Sequence, residues 1–191
     1  MGPAVYSVDR TFAGWNGAYR RNVFRVGQFH NLAIPLECDS ALLDQHYPGE
    51  PLSLAFIDGW HSFQAVLRDF EMVNRWLVPG GYVAFHDVAP QPYQPGQINA
   101  FYQEALHHRE EWLAEELEMW SGSGREGEYH LSESRQDFRI DEAVAVILHE
   151  HSFELVDIPV LDGSHHLDRV REYRRGTTSP YHGLVALRKT T

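Results

Sequence analysis

Leu54-Ala55-Phe56-Ile57-Asp58-Gly59-Trp60-His61 decides the fold when it is read with Tyr82-Val83-Ala84-Phe85-His86-Asp87. Both are apolar runs that end in acidic or imidazole side chains. The third strand of the chain, Leu52–Ile57, has no polar alternation, which suits a parallel strand covered on both faces. Between the runs, Ser62–Leu77 carries Phe63, Val66, Leu67, Phe70, Val73 and Leu77 as one helical stripe, with Arg68, Asp69 and Asn74 facing away. Val78-Pro79-Gly80-Gly81 stops that helix, and the strand Tyr82–Phe85 follows at once. Strand, helix and strand with short joints form a βαβ unit, hence parallel strands and a right-handed crossover. Ligands of open α/β sheets bind beyond the carboxyl ends of the strands. Asp58, His61, His86 and Asp87 are therefore expected to converge on one crevice.

Upstream, Ala4–Asp9 reads as a short buried strand ending in an acid. Asn16–Arg25 has helical character, with Tyr19, Val23 and Val26 recurring at helical spacing. Asn31–Leu36 is a second apolar run, and Asp39 or Ser40 is placed to cap a short helix over Ala41–His46. Downstream, residues 88–97 form a Pro- and Gln-rich loop, and Ile98–Met119 a long polar helix with an acidic second half. Ser121–Arg135 is loop-like in composition. Its Gly122-Ser-Gly124-Arg-Glu-Gly127 matches a nucleotide fingerprint only by letter, because it follows a helix and opens none. Asp141–His151 reads as a helix, Phe153–Val160 as a strand, Gly163–Thr178 as a charged loop and His182–Arg188 as a last strand. The expectation is one α/β domain over residues 1–191, with 98–150 as a helical insertion.

Composition narrows the function. The 191 residues are 43% hydrophobic and 13% aromatic, as a globular core requires. The formal net charge is −11 with no basic stripe, so nucleic acid is not an expected partner. No signal peptide or bilayer-length apolar run is visible, so no membrane association is expected. The single cysteine, Cys38, excludes a disulfide framework and reads as a small buried side chain in a cytoplasmic protein.

The chemistry lies at the strand tips. Asp58 either caps the following helix or holds the Gly59 turn, or else joins Asp87 in gripping a divalent cation. His86 is a third ligand or a core hydrogen-bonding residue; as a ligand it suits manganese, iron or zinc better than magnesium. His61 stands where a helix N-terminus disfavours the imidazolium, which suits a general base as well as a ring bonded to backbone. Asp9, at a strand end, is placed to accept from ribose hydroxyls, with Asp39 and Ser40 beside the adenine edge. Trp15, Trp60 and Tyr93 serve either an acceptor pocket or packing.

Phe56 to Phe70, then Leu77 to Asp87, resemble class I S-adenosylmethionine-dependent methyltransferases. The closest branch is the metal-dependent sugar O-methyltransferases of the macrocin type, with their cephalosporin-hydroxylase-like relatives. The resemblance covers roughly residues 4–90, and its most specific part is Asp-Gly-x-His combined with His-Asp. It implies a Rossmann-like methyltransferase sheet, mostly parallel, closed by an antiparallel hairpin from Phe153–Val160 and His182–Lys189. It also implies S-adenosylmethionine and a divalent metal, magnesium or manganese, as cofactors. Asp58 and Asp87 fall on metal-ligand positions, His61 on the base, Asp9 on the ribose acid, and Asp39 with Ser40 on the adenine contact. In the implied reaction a substrate hydroxyl loses its proton to His61 and attacks the sulfonium methyl in line. The acceptor is a small molecule, a sugar or natural product.

Two departures mark this chain. His86 stands where the family usually has an acid, which leaves the ligand set and the metal open. The strand ending in Asp9 matches the family's second strand, so the first strand and its glycine-rich loop are expected to be missing, by truncation or by real loss. A sheet without that strand exposes apolar edges, which favours a homo-oligomer or a partner segment. The alternative function is a non-catalytic methyltransferase-like module with a regulatory or assembly role. A third is a metal-dependent enzyme that works without the cofactor, such as a hydrolase.

Overall fold

The computed structural model describes residues 5–9, 33–88, 95–122, 139–156 and 183–191. The helix expected at Asn16–Arg25, the fingerprint-like loop, the charged loop Gly163–Thr178, Trp15 and Tyr93 lie outside these residues.

Strands β1 (Val5–Asp9) and β2 (Ala33–Glu37) form a parallel pair. A 3-10 turn at Ser40–Leu42 runs into the short helix α1 (Leu43–His46). Asp39 is the cap: its carboxylate accepts from the N–H of Ala41 at 2.9 Å. Strand β3 (Leu52–Ile57), helix α2 (Phe63–Asn74) and strand β4 (Leu77–Val88) then build the expected parallel βαβ unit. The long helix α3 (Pro95–Gly122), helix α4 (Ile140–Glu150) and strands β5 (Phe153–Val156) and β6 (Gly183–Lys189) complete the chain.

Strands β3, β4, β6 and β5 lie side by side in that order. Strand β6 is antiparallel to both β4 and β5, which is the closing hairpin anticipated from the sequence. The result is a mixed, Rossmann-like α/β arrangement with two parallel and two antiparallel strand pairs.

One face of the four-stranded sheet carries the core. Ala55, Ile57, Val83, Phe85, Val185 and Leu187 meet Phe63, Val66 and Phe70 of α2 and Ala143, Val144 and Ile147 of α4. Helix α3 joins through Ala105 and Trp112. Phe70 is fully buried, with the rings of His151 and Phe153 edge-on at 5.0 and 5.2 Å. Past the end of α2, Nζ of Lys189 donates to the carbonyl of Asn74, one of those a helix end leaves without an intrahelical partner, and to that of Leu77 at the start of β4, each at 3.0 Å.

The β1–β2 pair is held through aromatic side chains. Tyr6 packs edge-on against Tyr47 at 4.9 Å, Tyr47 lies 4.8 Å from Trp76, and the Tyr6 hydroxyl donates to Glu50 at 3.0 Å. Leu43, Tyr47 and Met72 form the centre of this second cluster.

Three sequence expectations change. Among the described residues Leu52–Ile57 is covered on one face: Leu54 and Phe56 are 63% and 58% exposed, and the core helices lie on the Ala55 and Ile57 face. Helix α2 ends at Asn74, and Leu77 already belongs to β4 in register with Leu52. Gly80 lies within β4 at φ +81°, in a segment where the β3 register shifts, so the Pro-Gly-Gly turn distorts a strand instead of preceding it.

Candidate functional site

Two strand tips and one helix start build the site. Ile57 of β3 is in register with Phe85 of β4, so Asp58, just past the end of β3, stands beside His86, which is still paired with Leu184 of β6. Nδ1 of His86 lies 3.1 Å from Oδ1 of Asp58. The Gly59-Trp60 turn then brings the chain to His61, just ahead of Ser62, whose hydroxyl caps α2 by accepting from the N–H of Ala65.

Asp87 has a separate explanation. Successive strand residues point to opposite faces, so His86 and Asp87 would not share a site in a regular strand. Asp87 has φ +58°, and the β4–β6 register slips between His86 and Val88. Such an irregularity re-aims one side chain, and aspartate enters the left-handed region more readily than most residues. Oδ1 of Asp87 comes within 3.2 Å of Nδ1 of His86, and its Oδ2 within 3.3 Å of Nε2 of His61. The same His61 nitrogen lies 3.9 Å from Oδ1 of Asp58.

One donor atom from each of Asp58, His61 and Asp87 lies within 4.8 Å of the others. Among the described residues no other set of three histidines, cysteines or acids closes in this way. The Asp87 side chain is 16% exposed and that of Asp58 is 46%, so the cluster opens to solvent on the Asp58 side. Two carboxylates brought together repel unless imidazolium or a cation stands between them. Metal–oxygen bonds of about 2.0–2.6 Å put neighbouring donors roughly 3–4 Å apart. The 3.3 and 3.9 Å separations fit that spacing.

The cofactor positions are only partly brought together. Asp9 ends β1 in register with Glu37, and its side chain lies outside the described part. Asp39 and Ser40 follow β2 closely, at the same end of that strand pair. Asp39 caps the 3-10 turn and Ser40 hydrogen-bonds Asp69, so both side chains also serve the local fold. Cys38 is buried, and burial with Asp39 alongside pushes its thiol up, which agrees with a packing role.

Sequence reasoning missed Asp69. Helical spacing puts it on the outer face of α2, yet burial raises its carboxyl, an effect the Ser40 hydrogen bond partly offsets. A Cβ on Gly59 would stand 2.8 Å from Oδ2 of Asp69. Glycine in Asp-Gly-Trp-His is thus the residue that lets the site turn pass over α2. The signal was the glycine itself, but its neighbour only appears in three dimensions.

Residues 2–88 match the model of a family described as a methyltransferase domain. The match supports a methyltransferase domain over that part of the chain, and such a domain implies use of S-adenosylmethionine. Its last residue, Val88, directly follows Asp87, so all four site residues fall within it and α3, α4, β5 and β6 fall beyond it.

Proposed function

We propose that the protein is a metal-assisted, S-adenosylmethionine-dependent O-methyltransferase acting on a hydroxyl of a small molecule, a sugar or natural product. The observation that supports this reading is the meeting of Asp58, His61 and Asp87 at one point beyond two parallel strands. The Asp-Gly-Trp-His and His-Asp segments favour the metal-dependent sugar O-methyltransferase branch. Asp58 and Asp87 would hold a divalent cation, magnesium or manganese, and His86, whose Nδ1 lies 3.1 and 3.2 Å from their carboxylates, would be a third donor. When bound, such a cation would lower the pKa of an acceptor hydroxyl, and S-adenosylmethionine would carry the methyl group. His61 takes the hydroxyl proton at Nε2, the atom turned towards both carboxylates. Asp9, with Asp39 and Ser40, orients the ribose and adenine of the cofactor.

A second reading is favoured by the closure of Asp58, His61 and Asp87 within 4.8 Å: His61 is itself the third ligand. One nitrogen cannot both ligate and act as base, so the two readings exclude each other. Calorimetric titration with Mn²⁺ tests both. Asp58→Asn and Asp87→Asn are each expected to weaken binding at least about tenfold. His61→Asn keeps wild-type affinity in the first reading and loses about as much in the second. Wild-type protein that binds neither Mn²⁺ nor S-adenosylmethionine overturns both and leaves the non-catalytic module.

A further inference from the structure

We propose that Arg139, stacked on Trp112, is a positioning residue for His61. His61 belongs to no helix or strand. Its carbonyl accepts from the backbone N–H of Arg139 at 3.0 Å. Arg139 is the N-cap residue of α4, and its own carbonyl accepts from the N–H of Ala143 at 3.2 Å. One residue therefore joins the start of α4 to the rim of the site.

The Arg139 side chain makes no cap of its own. Its guanidinium carbon lies 4.0 Å above the ring of Trp112, a cation–π contact. Trp112 is 4% exposed, and its ring meets that of Phe63 at 5.2 Å, edge to face. Phe63 is the first residue of α2, fully buried, and separated from His61 only by Ser62. His108 of α3 stacks on the same indole at 5.6 Å and 18°. The contacts form a closed circuit: His61 carbonyl, Arg139 backbone, Arg139 guanidinium, Trp112, Phe63, and back along the chain to His61. A circuit of this kind restrains the φ and ψ of His61 from both sides and so fixes the origin of its imidazole. Arg139 and Trp112 both lie beyond the stretch that matches the methyltransferase family, so the bracket is supplied by helices the match does not include.

The proposal rests on His61 being a working residue of the site, as ligand or as base. Its test needs neither role. The ring Cε1–Hε1 resonance of His61, assigned by its disappearance in His61→Asn, is followed at fixed pH by carbon-13 NMR. Arg139→Ala is expected to shift it by more than a line width, and Arg139→Lys, which keeps a cation over the indole, to return it towards the wild-type position. Val146→Ala destabilises the same helix from a buried position and is expected to leave the resonance in place. Proline at 139, which deletes the donor, is unsuited because φ there is −126°. Should Arg139→Ala fail to fold, Trp112→Phe is read the same way, since phenyl holds a cation more weakly than indole. A His61 resonance unmoved in Arg139→Ala or Trp112→Phe, or moved as far in Val146→Ala, overturns the proposal. Absence of Mn²⁺ binding would sink the proposed reaction and leave this result standing.

Discussion

Nε2 of His61 and Oδ2 of Asp87 meet at 3.3 Å because residue 87 leaves the alternation of its own strand. With φ +58° it sits in a conformation that L-residues other than aspartate and asparagine rarely take, and the β6 pairing slips at the same place. Strain held at the tip of a buried strand is consistent with a site that needs two consecutive side chains, His86 and Asp87, on one crevice.

Substitutions at Asp87 separate conformation from charge. Asp87→Gly relieves the backbone and is expected to stay within about 1 kcal/mol of wild type. Asp87→Val, β-branched in the left-handed region, is expected to lose about 2 kcal/mol or more. Urea unfolding of the two variants gives the comparison, and equal stabilities would mean that the backbone at 87 is not strained.

Gly59→Ala is expected to lower stability by about 1–3 kcal/mol, as overpacking does. The new methyl would stand 2.8 Å from Oδ2 of Asp69, a largely buried carboxylate that Ser40 hydrogen-bonds. Thermal unfolding of Gly59→Ala beside Gly59→Ala/Asp69→Ala checks the cause. The double variant should recover part of the loss.

Burial holds the Glu142 carboxyl at about 7, with Asp141 and Glu104 adding to the rise and Arg139 and a backbone hydrogen bond opposing it. A carboxyl whose folded value is raised binds its proton more tightly in the native state. Its stabilising contribution is complete below about 4.5 and is lost as pH rises through about 7. Across that window wild type is expected to lose up to about 3 kcal/mol relative to Glu142→Gln. Denaturant unfolding of both proteins from pH 4 to 8 measures the difference, and parallel curves would refute the assignment.

Phe70→Ala removes a fully buried ring that touches His151 and Phe153. A loss of about 3–5 kcal/mol is expected from the cavity left between α2 and the start of β5. A much smaller loss in equilibrium unfolding would mean that the α2 contact with the sheet contributes little to the fold.

Much of the architecture was legible from residue order because it is local. Apolar runs at Leu52–Ile57 and Tyr82–Phe85 with an amphipathic stripe between them leave few alternatives to a parallel βαβ unit, and β3, α2 and β4 follow that plan. The approach of Asp58, His61 and His86 was legible for the same reason, since parallel strands carry their carboxyl ends to one edge, whereas Asp87 joins them only by breaking the alternation of its strand. What the sequence could not order is set by contacts between distant segments. The left-handed turn at Asp87 depends on how β6 pairs, the burial of Asp69 on where Ser40 and Gly59 pass, and the bond from Arg139 to His61 on the approach of α4. The exposure of Leu54 and Phe56 likewise reflects which face the helices cover. Periodicity along a chain encodes which elements form and which side of each is apolar. Partners far apart in sequence leave no periodic trace, so the tertiary fold alone decides them.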